Sequence, residues 1–172
     1  MSSVDLVEEL DTQKCEVLNA DSAHPLRHVL SPECRDDGGL VLKSDVDEEL
    51  LVILRFQSLV KVCAIALRGP VDCGPSSVKV FCNPLGLGID TAGSSAATQT
   101  LQVSQDALKS GDTIALRFVL YQKVSALALF FPANHSGAAV TVVERLAIYG
   151  QLVPQEGSAW AKAEAANTKA AG

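Results

Sequence analysis

The sequence predicts an all-β protein: an antiparallel β-sandwich or jelly roll of about eight strands with one or two very short helices. Three observations lead to this prediction. Short apolar runs recur along residues 40–149, and each is closed by Gly, Pro or polar residues. Residues 50–56 alternate their side chains with a period of two. No predicted strand is followed by a helical stretch of about ten residues, which a parallel βαβ arrangement would need.

The first 39 residues carry few strand signals. Residues 5–10 have apolar positions at helical spacing and predict one or two turns of helix, which must pack on the body because such a short helix is marginal alone. Residues 15–19 predict a first extended segment. Residues 20–39 hold two prolines, two glycines and many polar groups, and therefore predict a long loop.

The predicted strands begin after this loop. They lie at residues 40–42, 50–56, 60–67, 78–82 and 100–103. Residues 60–67 are apolar on both faces, which predicts a central strand joined to residues 50–56 by a short connection. Residues 84–98 are rich in Gly, Ser, Thr and Ala and poor in charge, so they predict another long loop or an excursion at a sheet edge.

Residues 104–111 predict a one-turn helix, with Ser104 at its N-cap and Gly111 closing it. Further strands are predicted at residues 113–121 and 124–131, at the spacing of a hairpin, and at residues 140–149, with Gly150 ending the last one. We divide the chain into a lead-in at residues 1–20 that packs on the body, a sandwich at residues 21–153, and a weakly ordered Ala-rich tail at residues 154–172 with a helical turn near Trp160.

The composition excludes several classes of protein. The chain has 172 residues, of which 48% are hydrophobic and 20% charged, as in a single globular domain. Its net charge of −6 disfavours nucleic acid and anionic membranes as partners. The acidic N-terminal residues do not fit a signal peptide, so we expect a cytoplasmic protein, with the nucleus as a second location. The five cysteines are then expected to be free thiols, and the protein a monomer.

No motif predicts catalysis. The cysteines lack Cys-x-x-Cys spacing, and no Gly-x-Ser-x-Gly elbow is present. His24 and His28 have the spacing of metal ligands only in a helix, and Pro25 interrupts them. Acidic residues at 45–48 could supply oxygen ligands to Ca²⁺, or they could simply begin a strand and protect a sheet edge. We predict no enzymatic activity, no metal and no cofactor.

Several segments, in this order and spacing, resemble signatures of the PITH domain family between Asp5 and Val153. They are residues 15–19, 42–51, 56–57 with 60–61, 69–70, 74–75 with 78–81, 118–124 and 146–150. Members of the family occur as stand-alone proteins and as the C-terminal domain of a thioredoxin-like protein that binds the proteasome. We expect this chain to be of the stand-alone type.

The resemblance implies a galactose-binding-like jelly roll that acts as a non-enzymatic interaction module, with the proteasome as a partner. Loop ends rich in charge are the predicted contact surface: Asp36, Asp37, Asp45, Asp47 and Glu48, aided by Arg68 and Lys79. The alternative is a module of the same fold that binds a small ligand or a carbohydrate. A low aromatic content of 5% counts against the carbohydrate.

Overall fold

A computed structural model describes residues 3–154, as ten strands, three short α-helices and two 3-10 turns. The helices are α1 (Arg27–Leu30), α2 (Ile89–Ser94) and α3 (Gln105–Ser110), and the 3-10 turns are Val7–Glu9 and Phe118–Leu120. The strands are β1 (Val4–Asp5), β2 (Glu16–Leu18), β3 (Leu42–Lys43), β4 (Leu50–Arg68), β5 (Ser77–Cys82), β6 (Gln99–Gln102), β7 (Thr113–Ala115), β8 (Val124–Phe131), β9 (Val142–Val143) and β10 (Arg145–Leu152). The predicted all-β antiparallel class is confirmed. The predicted tail lies outside the described residues from position 155 onward.

One long strand, β4, holds the molecule together. Residues 50–55 and Val60 pair with β8, and residues 51–53 also pair with β2. Residues 60–62 and 64–68 pair with β10, and residues 64–66 also pair with β7. These eight strands form one antiparallel sheet in the order β1-β10-β4-β8-β5-β6, with β2 and β7 also paired to β4. The predicted short connection between two strands is wrong, because the chain stays extended through residues 56–60 and bends at an irregularity there. Strands β3 and β9 form a separate pair.

The buried side chains follow the predicted alternation. Leu50, Val52 and Leu54 belong to the main core, which also contains Ile65 and Leu67 from the second half of β4. Leu51 and Ile53 point the other way into a smaller cluster that includes Ala92 of α2. The low-charge segment at residues 84–98, predicted as a loop or edge excursion, carries the short helix α2, which packs on this face of the sheet.

Two predicted strands were placed with wrong limits. The strand at residues 113–121 ends at Ala115, and Phe118–Leu120 form a 3-10 turn that leaves Tyr121 buried against β4, where its carbonyl accepts a hydrogen bond from the Val62 amide at 3.0 Å. The strand at residues 140–149 is divided at Glu144 into β9 and β10, which pair with different strands. Gly150 does not end β10, which continues to Leu152.

Within residues 3–154, no helix has the length and apolar character that crossing a bilayer would require.

Candidate interaction surfaces

Hydrogen bonds from one asparagine, Asn19, hold the predicted acidic turn together. Asn19 has a φ of 68°, in the left-handed region that Asn tolerates. Its side-chain amide donates to Asp47 Oδ1 at 2.7 Å and to the Glu49 carbonyl at 2.6 Å, and its Oδ1 accepts from the Val46 amide at 3.2 Å. The Asp47 carboxylate is thus partly used for a hydrogen bond within the turn, whereas the Asp45 carboxylate is exposed. Burial, followed by repulsion from Asp47, raises the pKa of Glu49.

A buried polar group fastens this turn to the segment before β9. The Thr141 hydroxyl donates to the Glu48 carbonyl at 2.6 Å, and the Thr141 amide donates to Ser44 Oγ at 2.8 Å. Asn134 donates to Thr141 Oγ1 at 3.2 Å. All three polar side chains are buried and hydrogen-bonded, so they anchor the backbone of the acidic turn to this segment.

Two other predicted residues, Asp36 and Arg68, lie in a second cluster. Asp36 pairs with Arg145 at 3.3 Å, and Arg68 pairs with Glu144 at 3.7 Å. Arg68 also donates to the Arg35 carbonyl at 3.3 Å. The cluster fixes the loop after α1 to the beginning of β10, so these charges have structural partners.

Asp37 belongs to the same loop, where its Oδ1 accepts a hydrogen bond from the Gly39 amide at 2.9 Å. Among residues 3–154, no group of three His, Cys, Asp or Glu side chains is placed to hold a metal ion.

Lys79 lies apart from both clusters and caps α2. Its Nζ donates to the carbonyls of Ala92 at 2.8 Å, Gly93 at 3.2 Å and Ser95 at 2.8 Å. It also lies 5.8 Å from the centre of the Phe81 ring. A cation at the C-terminus of a helix is where the free carbonyls and the helix dipole favour it. The predicted role of Lys79 in partner contact remains a prediction, whereas its structural role is visible.

Replacing Lys79 by methionine is expected to lower the free energy of unfolding by about 1–3 kcal/mol, because three carbonyls lose a charged donor. Amide hydrogen exchange in α2 should accelerate first, since the helix covers the outer face of the sheet. Lys123→Met is the matched control, as this exposed lysine has no ion-pair partner within residues 3–154. Equal urea midpoints for the two variants would contradict the capping role.

A groove opens between the 3-10 turn Val7–Glu9, strand β2 and helix α1. It has a volume of about 480 Å³, within the usual range for ligand sites. Leu10, Leu26 and Leu30 form its nearly buried floor. Cys15 lies in its wall, and burial raises the pKa of this thiol. The Cys15 sulfur accepts a hydrogen bond from the Arg55 amide at 3.3 Å, so the thiol side of the groove is anchored to β4.

A second unusual surface lies where β4 bends, at the end of the sandwich reached by β8 and β10. We call it the apolar end. Six large apolar side chains are exposed there, by 39% for Leu59 up to 97% for Leu85: Leu59, Leu85, Phe118, Val119, Leu120 and Leu152. Single exposed apolar side chains are normal, but several that lie close together mark an interaction site more often than a free surface.

Hydrogen bonds show that these loops meet. The Asn83 side chain donates to the Lys123 carbonyl at 3.0 Å and accepts from the Ser125 amide at 2.8 Å, which places the loop carrying Leu85 beside the start of β8. Val60 pairs with both Val124 and Leu152. The Val153 amide donates to the Leu59 carbonyl at 3.0 Å.

Two exposed cations, Arg117 and Lys123, flank the 3-10 turn at the apolar end. Neither forms an ion pair within residues 3–154. Tyr121, at the base of the turn, donates to Gln99 Oε1 at 3.2 Å, and burial raises its pKa to about 12. The buried Tyr121 side chain anchors the 3-10 turn, while the side chains of the turn, Phe118–Leu120, are exposed.

Local sequence patterns predicted neither the groove nor the apolar end. The groove combines segments that are distant along the chain, so no local pattern predicts it. The apolar end carried one signal. Residues 118–121 are four successive apolar side chains, which a strand can hold only if both its faces are covered. The sequence shows no segment that would cover the second face of such a strand, so exposure of these side chains was the alternative.

The fold, an eight-stranded antiparallel sheet with the separate pair β3 and β9, is that of galactose-binding-like β-sandwich domains. The family 32 carbohydrate-binding module from Clostridium perfringens NanJ, solved in complex with galactose, matches with a TM-score of 0.61 and 8% identity over 86% of this chain and 98% of its own. A fucolectin from striped bass (Morone saxatilis) serum matches with a TM-score of 0.57 and 5% identity over 88% of this chain and 48% of its own. Identities this low show the fold alone.

The chain belongs to the PITH domain family, whose model matches residues 1–167. It is 29% identical over 149 residues to thioredoxin-like protein 1 of Schizosaccharomyces pombe, an alignment covering 84% of this chain and 50% of that protein. It is also 29% identical over 149 residues to the PITH domain-containing protein CG6153 of Drosophila melanogaster, covering 86% of this chain and 69% of the relative. The chain thus spans about half the length of the yeast relative. The predicted family is confirmed.

Proposed function

We propose that this PITH domain is a non-enzymatic module that binds another protein through its apolar end. The observation that carries the proposal is the concentration of six exposed large apolar side chains on loops that meet at one end of the sandwich. Covering them would remove apolar surface from water, which is the main driving force of protein association. The surrounding cations would then select the partner and its orientation.

The partner we propose to test first is the proteasome, in the cytoplasm or the nucleus. This choice rests on the family resemblance, in which members that carry a thioredoxin-like domain bind that particle. An adaptor needs a surface that stays available on the folded domain. The apolar end meets that requirement because its backbone is held by Tyr121, Asn83 and β4, while its side chains stay free.

The test is affinity purification of the full tagged chain from cells, with proteasome subunits measured by mass spectrometry. Replacing Phe118 and Val119 by serine is expected to lower recovery about tenfold or more, the scale expected for central contact residues. Because both side chains are exposed, the melting temperature should stay nearly unchanged. Recovery at the wild-type level from a folded double variant would refute the apolar end as the binding surface.

A double variant in the acidic turn is the matched comparison, and it tests the contact surface that the sequence predicted. Asp45→Lys with Asp47→Lys changes charge on the predicted surface of Asp36, Asp37, Asp45, Asp47 and Glu48, with no change at the apolar end. If only this variant loses the partner, the contact surface is the acidic turn. Asp47 should be checked for stability because it bonds Asn19.

Carbohydrate binding is the second candidate function, and it is favoured by one observation. The fold matches modules solved in complex with galactose and with GalNAc. Sugar sites often use exposed aromatic rings for stacking, and within residues 3–154 Phe118 is the aromatic side chain that is more than one third exposed. Titration with galactose and GalNAc, read as a shift in melting temperature, decides this case. No shift with either sugar would remove the candidate.

A further inference from the structure

The groove between Val7–Glu9, β2 and α1 has the form of a site for an extended chain. Its floor is apolar and belongs to the edge of the main core, through Leu10, Leu26 and Leu30. Val17 and Pro25 add apolar walls. A single aliphatic side chain from a ligand could lie on this floor and cover Val17 and Pro25, which are less buried than the leucines. The groove is lined by residues between Val7 and Glu33 and shares no residue with the apolar end.

The rim of the groove is acidic. Exposed Glu8, Glu16 and Glu33 surround it, against one guanidinium from Arg27. None of these four forms an ion pair within residues 3–154. A hydrogen bond from the Ser31 hydroxyl lowers the pKa of Glu33 and so favours its charged form. A ligand with basic groups on either side of an aliphatic one would match this pattern.

One wall of the groove is a sheet edge. Strand β2 pairs with β4 at residues 51–53 and has no second strand partner among the described residues. Cys15, Glu16 and Val17 from this edge line the groove. A strand with one free edge can accept an extended peptide, because its outward backbone groups supply hydrogen bonds that do not depend on the peptide's sequence.

We propose that the groove binds an extended segment of a partner protein with an aliphatic residue flanked by lysine or arginine, paired along the free edge of β2. The apolar floor receives the aliphatic side chain, and the glutamates receive the basic ones. The groove lining, all within the described residues, includes no aromatic side chain, which distinguishes the site from a stacking platform for sugars.

The test uses the full chain and a fluorescein-labelled peptide, acetyl-KVLVKS-amide, with acetyl-EVLVES-amide as its charge-reversed partner. Fluorescence anisotropy is expected to show binding of the basic peptide at micromolar to millimolar concentration and weaker binding of the acidic one. Glu33→Lys and Glu16→Lys should each weaken binding of the basic peptide about fivefold, and Arg27→Gln should strengthen it. Asp112→Lys, the same charge change at an exposed residue outside the groove lining, should have no effect.

Two further measurements locate the peptide and its backbone. Alkylation of Cys15, followed by mass spectrometry, should slow when the basic peptide is present, because the thiol lies in the groove wall. A peptide with alternate backbone nitrogens methylated should bind more weakly, since it cannot complete a strand pairing. The proposal is overturned if the basic peptide does not bind, if Glu33→Lys binds it like wild type, or if Cys15 is alkylated at the same rate with and without it.

Discussion

Replacing Gly150 by alanine is expected to destabilise the fold by about 4 kcal/mol or more, a loss that only a few mechanisms produce. A Cβ at this position would lie 1.8 Å from the Lys61 carbonyl oxygen and 3.0 Å from the Val62 Cα. These are backbone atoms of the neighbouring strand, which cannot move aside without breaking the pairing of β10 with β4.

The close approach comes from a register shift. Tyr149 pairs with Ala64 and Gly150 pairs with Val62, so Cys63 is an extra residue on β4. Such bulges bend a strand and bring backbones together where a side chain has no space. The glycine is required here by contact and not by its φ, which is not positive.

Urea unfolding, with the free energy extrapolated to water, measures the effect. Gly38→Ala is the matched control, because a Cβ there has no atom within 4 Å and the loop is exposed. Its free energy of unfolding should stay within about 0.5 kcal/mol of wild type. Equal urea midpoints for Gly150→Ala and Gly38→Ala would contradict the proposed clash between residue 150 and the Lys61 backbone.

Replacing Val62 by aspartate is expected to cost several kcal/mol at neutral pH, a large part of the roughly 5–15 kcal/mol that stabilises most domains. Val62 is fully buried in the main core. A carboxylate there would lose its water and gain no charged partner. Ile53→Asp, in the smaller cluster below α2, should behave in the same way because that side chain is also buried.

The cost should depend on pH in a defined direction. Burial raises the pKa of a carboxyl above its unfolded value of about 3.9, so the unfolded state releases its proton first and is favoured as pH rises. The deficit relative to wild type should therefore shrink toward pH 4 and grow toward pH 7. Val119→Asp is the control, since this side chain is 79% exposed. A stable, folded Val62→Asp protein at pH 7 would contradict the assigned core.

Local patterns were sufficient for the strands in the middle of the chain. The alternation at residues 50–56 and the continuous apolar character at residues 60–67 correspond to the two halves of β4 and to their burial. Ser104 and Gly111 were predicted as the ends of a helix, and Ser104 Oγ accepts from the Ala107 amide while Gly111 takes the left-handed conformation. These features depend on neighbours within a few residues, so a sequence can show them.

The candidate surfaces were less predictable. The sequence-based prediction grouped Lys79 with Arg68, as two cations that aid one acidic contact surface. In the structure, Lys79 bonds the end of α2, while Arg68 bonds the loop after α1. Whether either contacts a partner is still a prediction. The role of a charged side chain depends on which carbonyls or carboxylates the fold places within reach.

The sequence by itself determined the class of fold, the family and the positions of most strands, because two-residue periodicity, turn residues and ordered short motifs are local properties. Only the tertiary structure decided that β4 pairs with both β8 and β10, that Gly150 lies against the Lys61 carbonyl, and that distant segments form the groove and the apolar end. Those features depend on contacts between residues far apart in the chain, and such contacts form when the strands pair.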